Sequence, residues 1–348
     1  MSRLVRGGRG GAAGSGADRA MSLLRLSLAM GCLLVLAAIA AVLLGETPLA
    51  LGQYAQAIAH PGSPPGEVLW TIRAPRVAMA ALVGAALGLA GATMQGLLRN
   101  PLADPGVLGV SAVSGLGAAL AIAGGLAAVP GAIELAALLG ALVAGGAVVA
   151  IAARLREPEA LILLGVAISA FGGALTALVF NLAPSPVAIA EVLAWLMGSV
   201  ENRDWTDSLR ALLPMAIGAA LCLQVGQGLR MLTLGEEAAA MSGLPMARLR
   251  VYAVAGAALL TGAAVAGAGV IGFVGLAAPH MVRALVKDDP RQILWPSALA
   301  GALLLVLADL AARVVPTDQE LKLGVVTALF GAPAFALLAW RASRSWRA

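Results

Sequence analysis

Long, uninterrupted runs of apolar residues recur along the chain and are separated by short segments that contain Gly, Pro and charged residues. A helix that crosses a bilayer needs about 20 such residues, whereas the strands of a membrane barrel alternate apolar and polar positions over about ten. The continuous runs therefore predict transmembrane helices. We place about ten of them, at residues 26–44, 77–98, 107–128, 133–153, 160–182, 209–227, 251–270, 273–286, 293–313 and 321–340.

The composition supports the same class of protein. Of the 348 residues, 60% are apolar and 12% are charged, and the mean hydropathy is +0.93. A soluble domain carries about 25% charged residues, so this chain cannot cover a water-exposed surface of its size. The composition excludes a soluble enzyme, a nucleic-acid binder and a disordered scaffold. We predict an all-α polytopic membrane protein.

The N-terminal segment differs from the rest of the chain. Residues 1–20 are rich in Gly and Arg, and we expect them to be a disordered basic leader, with Met21 as a second candidate start. The apolar run that follows is longer than the 7–15 residues typical of a cleaved signal peptide, so we interpret it as a retained signal anchor. Residues 21–348 are expected to form a single transmembrane domain.

The basic residues indicate the sidedness of the spans. With the N-terminus inside, most of the 23 Lys and Arg residues fall in inner loops, as expected for cytoplasmic loops. Both termini are therefore predicted to be cytoplasmic, and the net charge of +5 requires no nucleic-acid partner. The exceptions, which lie on the outer side, are Arg73, Arg76, Arg203, Arg210, Arg313 and Lys322.

Two of the outer arginines immediately precede the second span. Arg73 and Arg76 either snorkel at the interface or form a cationic patch that receives an acidic partner from outside, since arginine pairs bidentately with carboxylates. Asp309 and Arg313 are four residues apart on one predicted helix, which predicts an intramembrane ion pair. That pair still allows Arg313 to face the outer mouth.

The cytoplasmic loop 228–250 has the signals of one or two short helices. Glu236 and Glu237 suit the positive N-terminal end of a helix, Gly243 suits the position after its end, and Pro245 suits the first turn of the next helix. We expect the small apolar residues 238–241 to be exposed, as a peg for the groove of a partner. The alternative is an ordinary amphipathic connector.

Several chemical motifs are missing from the sequence. The only lysines, Lys287 and Lys322, are not preceded by Gly, so there is no P-loop. The span interiors are almost free of charge; Gln95 and His280 are the polar exceptions, which we interpret as groups that hydrogen-bond between helices. There is no Cys/His cluster and no paired nucleophile and base. We expect no catalytic residue, no metal site and no cofactor.

Six segments together resemble the FecCD-type permeases, the membrane subunits of ATP-driven importers for ferric siderophores, haem and vitamin B12. The resemblance covers most of the chain, in the family's order. One departure is Lys322, where many relatives have Pro. The matching segments are residues 73–77, 99–111, 234–239, 271–283, 308–313 and 324–333.

The resemblance implies a type II ABC importer permease of ten helices per subunit. It implies a homodimer in the lipid of a bacterial inner membrane, with two cytoplasmic ABC ATPase subunits and a periplasmic solute-binding protein. It assigns docking of that binding protein to Arg73, Arg76 and Arg313, and part of the pathway to the fifth span and residues 190–200. It assigns ATPase coupling to Gly235, Glu236, Glu237, Ala239 and Gly243.

The implied function is the import of an iron complex, either a siderophore or haem, by alternating access that partner ATPases drive. A cobalamin importer permease is the first alternative. A stand-alone secondary carrier is the second, although the uncharged span interiors disfavour it.

Overall fold

The computed structural model describes residues 11–45, 48–152, 154, 158–286, 289–315 and 320–345. Within these ranges the backbone forms helices and connecting turns, with no β-strand. A π-helical turn at Val68–Arg73 leads into α4, and 3-10 turns at Pro105–Leu108 and Leu126–Ala128 flank α5. The helices are α1 Gly11–Leu43, α2 Leu51–Ala59, α3 Pro64–Glu67, α4 Ala74–Leu97, α5 Val110–Ala123, α6 Ala132–Ala152, α7 Pro158–Leu182, α8 Pro186–Leu196, α9 Trp205–Gln224, α10 Gly226–Leu232, α11 Glu236–Met241, α12 Met246–Ala268, α13 Val274–Val286, α14 Pro290–Val314 and α15 Leu323–Ser345.

Each of the ten predicted spans falls on a helix, and the all-α multi-span class is confirmed. By length and composition, seven of the described helices can cross a membrane, namely α1, α4, α6, α7, α9, α12 and α14. The other three predicted spans coincide with the shorter apolar helices α5, α13 and the first part of α15.

The predicted continuous span at residues 107–128 is wrong. Its central helix α5 has 14 residues and is about 21 Å long, which is shorter than the bilayer core of about 30 Å. Gly109 and Gly125 adopt left-handed φ values of 77° and 78° and interrupt the helix on both sides. The apolar run is continuous in sequence, so hydropathy alone gave no sign of these breaks.

The N-terminal helix also begins earlier than expected. Helix α1 starts at Gly11 and therefore includes residues 11–20 of the predicted leader. That stretch contains four alanines, the residue with the highest helix propensity, together with three glycines. Residues 1–10 of the predicted leader lie outside the described residues.

Close backbone contacts hold α4 in the middle of the bundle. A Cβ added to Gly84 or Gly88 would lie 2.2 Å from a carbonyl oxygen of α14, which for Gly84 belongs to Gly301. A Cβ on Gly91 would lie 1.8 Å from the carbonyl oxygen of Gly275 on α13. The small-residue face predicted at Gly84 and Gly88 is therefore confirmed as a packing surface, of the kind that lets helices approach closely in lipid.

Burial separates the centre of the bundle from its periphery. Helices α4 and α12 bury most of their side chains, as α14 does, whereas α1 and α7 leave most of their apolar side chains exposed. Exposed apolar side chains on an outer helix suit contact with lipid or with another protein. The central helices α4, α12 and α14 therefore form the core of the bundle. They run from one end of the bundle to the other.

We predict that Gly91→Ala destabilises the bundle, because the new methyl group would overlap the backbone of α13. Overpacking of this kind costs about 1–3 kcal/mol, so the apparent Tm in detergent should fall by several degrees. Gly146→Ala is the matched control, because a Cβ there meets nothing within 4 Å and the same helix propensity is gained. An equal Tm for the two variants would contradict the packing.

Candidate functional site

Three arginines predicted to lie on the outer side meet at one end of the bundle, which we call the arginine end. Arg73 closes the π-helical turn, Arg76 lies in the first turn of α4, and Arg313 lies in the last turn of α14. All three are buried, with exposed fractions of 5%, 8% and 6%. Burial of these charges requires partners within the chain.

A single carboxylate joins two of these arginines. Asp309, which is 1% exposed, accepts hydrogen bonds through Oδ1 from Nε and Nη2 of Arg76 at 2.9 and 2.8 Å. Its Oδ2 lies 3.1 Å from Nε of Arg313, four residues along α14. The predicted ion pair between Asp309 and Arg313 is therefore confirmed, and Arg76 completes a bridge from α4 to α14.

Glu320 is a second acidic partner of Arg76. Its Oε2 accepts a hydrogen bond from Nη1 of Arg76 at 3.0 Å, and its Oε1 is paired with Nη2. The Glu320 side chain is 12% exposed, compared with 1% for Asp309, so it is the more accessible of the two carboxylates that bind Arg76. A paired contact of this kind is among the stronger interactions that a guanidinium makes.

The other two arginines bind the C-terminal end of α1. Arg73 Nη1 donates to the carbonyl oxygens of Val42 and Leu43 at 3.2 and 2.8 Å. Arg313 donates to the carbonyl oxygens of Leu44 and Ala41 at 3.3 and 3.0 Å. The last carbonyls of a helix lack intrahelical partners and carry partial negative charge, so these cations fix the end of α1 to α4 and α14.

The sequence predicted that the three arginines lie on the same, outer side of the membrane. It did not predict their burial or the role of Glu320. Asp309 and Arg313 could be paired from their spacing, because helical residues four apart lie on one face. Arg76 and Glu320 are 244 positions apart, and a contact over that separation has no local signal. The three arginines are buried and bound to groups of their own chain, so they do not form an open cationic patch.

The opposite end of the bundle carries the short helices of residues 228–250, to which the resemblance assigns ATPase coupling. We call this segment the coupling loop. Gly235 precedes α11 with φ of 100°, and Gly243 follows it with φ of 83°; both values favour glycine. The predicted placement of Glu236 and Glu237 in the first turn of a helix is confirmed. Glu236 Oε2 accepts from Nη2 of Arg250 at 2.7 Å, which ties α11 to the start of α12.

One expectation for this loop is wrong. Ala239 was expected on an exposed apolar face, but it is completely buried and packs α11 onto the bundle. Ala240 and Met241 are exposed as expected, Met241 by 83%, and Leu234 before the helix is 73% exposed. A helix of six residues is too short for its inward face to be read from sequence periodicity.

Polar contacts connect the coupling loop to the long central helices. Arg291 in the first turn of α14 donates to Gln227 of α10 at 3.1 Å, and Arg230 lies 3.6 Å from Asp289, which precedes α14. The 25 residues of α14 span about 37 Å. Helix α14 therefore runs from the coupling loop to Asp309 and Arg313 at the arginine end.

Gln95 links α4 to α13 near the end of α4. Its Nε2 donates to the carbonyl oxygen of Leu276 at 3.5 Å, and its Oε1 accepts from Nη2 of Arg283 at 3.2 Å. Gln95 is 1% exposed. Its predicted role as a group that hydrogen-bonds between helices is confirmed.

The loop that follows α4 is fixed by its own side chains. Asn100 Oδ1 accepts from the N–H of Leu102 at 2.9 Å, and Asp104 Oδ1 accepts from the N–H of Gly106 at 2.7 Å. Burial raises the pKa of the Asp104 carboxyl above its usual range, and the hydrogen bond from Gly106 partly opposes that shift. These two bonds fix the conformation of the loop that joins α4 to α5.

The segment 190–200, expected near the pathway, contains most of α8 and the turn after it. The N–H of Gly324 donates to the carbonyl oxygen of Met197 at 3.1 Å, so this turn contacts the start of α15. Lys322 pairs with Glu201 at 2.9 Å. This ion pair therefore links the segment before α15 to the turn after α8.

The bundle has a buried ionic network at one end and short helices outside the spans at the other. These features are those of a multi-span helical permease. The chain belongs to the FecCD transport family, which it matches over residues 33–341. The predicted family is confirmed. Members are permease subunits of ABC transporters and are not themselves enzymes.

Individual relatives agree with this assignment. The chain is 39% identical over 324 residues to the vitamin B12 import system permease protein BtuC of Salmonella typhimurium, covering 92% of this chain and 96% of BtuC. It is 41% identical over 287 residues to YvrB of Bacillus subtilis, an uncharacterized ABC transporter permease protein, covering 81% of each. A solved structure described as a metal-chelate type ABC transporter in an inward-facing conformation superposes with a TM-score of 0.82 at 30% identity, covering 91% of this chain and 99% of that chain.

We predict that Asp309→Asn destabilises the chain strongly, because two buried arginines lose their shared anion. Removing one partner of a buried ion pair costs about 3–5 kcal/mol, and the apparent Tm in detergent should fall accordingly. Asp207→Asn at the same end is the control, since Asp207 lies 3.9 and 3.8 Å from Arg203 and Arg210 and should contribute about 1 kcal/mol or less. Equal effects would contradict the anchoring role of Asp309.

Proposed function

We propose that this chain is the membrane subunit of a binding-protein-dependent importer for an iron complex, either a siderophore or haem, working as a homodimer with two cytoplasmic ATPase subunits. It would lie in a bacterial inner membrane with both termini in the cytoplasm. Solute would cross by alternating access, and the chain itself would break no bond in the solute.

The position of the ionisable side chains carries this proposal. In the described helices that are long enough to cross a membrane, these side chains lie toward the ends of the candidate spans, as Arg76 does in α4 and Asp309 and Arg313 do in α14. Carriers coupled to an ion gradient place ionisable groups inside the membrane. The free energy for uphill transport must therefore come from a partner, and α11 offers that partner an exposed surface.

The surface of α7, α8 and α15 supports a second copy of the chain. Phe171, Val187 and Phe330 lie on these helices with exposed fractions of 67%, 75% and 75%. Large exposed apolar side chains suit a protein interface or lipid. We assign these three helices to the dimer and its pathway. We assign the fixed part of the alternating-access cycle to α4 and α14, because their backbones are in contact.

Docking of the solute-binding protein at Arg73, Arg76 and Arg313 requires an exchange of partners. Each arginine already binds groups of its own chain, and Glu320 is the more accessible of the two carboxylates that bind Arg76. We propose that an acidic side chain of the binding protein takes the place of Glu320 on Arg76. Asp309 remains bound to Arg76 throughout, so the guanidinium keeps its position.

This exchange predicts that Glu320→Gln strengthens docking, because the competing internal anion is removed. We expect the Kd for the cognate binding protein to fall about fivefold, or about 1 kcal/mol, in nanodiscs at low salt. Glu201→Gln is the control, since Glu201 pairs with Lys322 and not with Arg76. Weaker binding after Glu320→Gln, or an equal gain in the control, would contradict the exchange.

For ATPase coupling we predict that Met241→Glu weakens the association with the partner ATPase. Met241 is 83% exposed, so the variant should keep the Tm of the unaltered chain and lose only the apolar contact. Co-purification of the ATPase measures the effect, with Gln56→Glu on α2, at the other end of the molecule, as the control. Normal recovery of ATPase with Met241→Glu would exclude α11 from that interface.

Reconstituted vesicles test the proposed function as a whole. Uptake of cobalamin, haem or a ferric siderophore should require the ATPase, ATP and the binding protein together, and an ion gradient should not replace them. Uphill uptake by the purified chain alone would show a secondary carrier instead. The identity to BtuC supports cobalamin as the second candidate solute, and the solute bound by the cognate binding protein decides between them.

A further inference from the structure

Helix α2 lies outside the spans and is fastened to the arginine end by two hydrogen bonds, and a third bond holds one of its partners, Trp70. The Tyr54 hydroxyl donates to the carbonyl oxygen of Leu43, the last residue of α1, at 2.6 Å. Trp70 Nε1 donates to the carbonyl oxygen of Ala57 at 3.1 Å, and Trp205 Nε1 donates to that of Trp70 at 3.0 Å. Helix α2 therefore lies at the level where α1 ends and where α4 and α9 begin.

The two sides of α2 have different surroundings. Ala57 is completely buried, whereas Leu51 and Ile58 are 90% and 68% exposed. Leu51, Ala55 and Ile58 follow the i, i+4, i+7 spacing of one helix face, and Ala55 is exposed as well. We call these three residues the α2 face. None of the nine residues of α2 is charged.

The α2 face continues the exposed apolar surface of α1. Leu43 and Leu44 at the end of α1 are 40% and 53% exposed, and Tyr54 holds α2 against that end. The Trp70 and Trp205 side chains are 44% and 48% exposed, although their N–H groups are bonded within the chain. Tryptophans with an apolar ring and a bonded polar edge are enriched at the membrane–water interface.

From these contacts we propose that α2 is an interfacial helix, and that Leu51, Ala55 and Ile58 insert into the bilayer leaflet at the arginine end. The occupant of the α2 face is lipid. A protein that docks through pairs of arginine and carboxylate would need charged residues, and α2 has none. An uncharged apolar face suits the boundary between the lipid headgroups and the acyl chains. The proposal requires only that the chain spans a bilayer.

The arrangement gives α2 a mechanical role. The carbonyl oxygen of Leu43 accepts hydrogen bonds both from Tyr54 of α2 and from Arg73. An α2 held by lipid therefore fixes the height of the arginine network relative to the bilayer surface. A partner that approaches along that surface would meet the network at one constant depth.

The test uses single cysteines at Leu51 and Ile58, labelled with the polarity-sensitive fluorophore NBD, in a Cys32→Ser background. Cys222 stays in place because it is buried. In nanodiscs with doxyl-labelled phospholipid, NBD at both positions should show blue-shifted emission and at least twofold stronger quenching than at Gln56→Cys. Gln56 is exposed on the opposite side of α2 and serves as the matched control.

Equal lipid quenching at all three positions, together with quenching by aqueous iodide at Leu51 and Ile58, would overturn the proposal. A blue shift at these positions that arises only when the solute-binding protein is added would overturn it too, because it would identify a protein as the occupant. The labelled variants are compared with the unaltered chain by size-exclusion chromatography. Because both side chains are largely exposed, their replacement should leave the fold unchanged.

Discussion

The backbone contact between α4 and α14 is the constraint on which the other features depend. Glycines at the crossing leave no room for a Cβ, so the two helices lie closer together than side chains would normally permit. At one end of this pair, Asp309 of α14 binds Arg76 of α4. Without the close crossing, the guanidinium and the carboxylate could not meet, and two buried charges would be left without compensation.

The same pair of helices connects the two functional ends. Helix α14 starts beside α10, through Arg291 and Gln227, and ends at the arginine network. Helix α4 starts at that network and ends near Gln95, which binds α13. A rigid connection of this kind cannot open or close by itself, so the alternating access that we propose would depend on helices that are packed less deeply. Helices α7, α8 and α15, with their exposed apolar side chains, meet that description.

Much of the architecture could be predicted because its signals are local. Continuous apolar runs indicated the spans, the spacing of Asp309 and Arg313 indicated their ion pair, and glycine at positions 84 and 88 indicated a helix contact. The contact of Arg76 with Glu320 was missed because it joins residues far apart in sequence. The inward position of Ala239 was missed because a six-residue helix has too little periodicity. The breaks around α5 depend on glycine conformation, which hydropathy does not report.

The central claim is that α4 and α14 move as one body while partners drive the transport cycle. In a Cys32→Ser background, spin labels at Ile72→Cys and Leu307→Cys, both at exposed positions, would report the distance between the turn that leads into α4 and the last third of α14 by pulsed electron paramagnetic resonance. In the assembled transporter, the account predicts a single distance distribution that is the same without nucleotide and with ATP bound. A second, nucleotide-dependent distance between these two labels would contradict it.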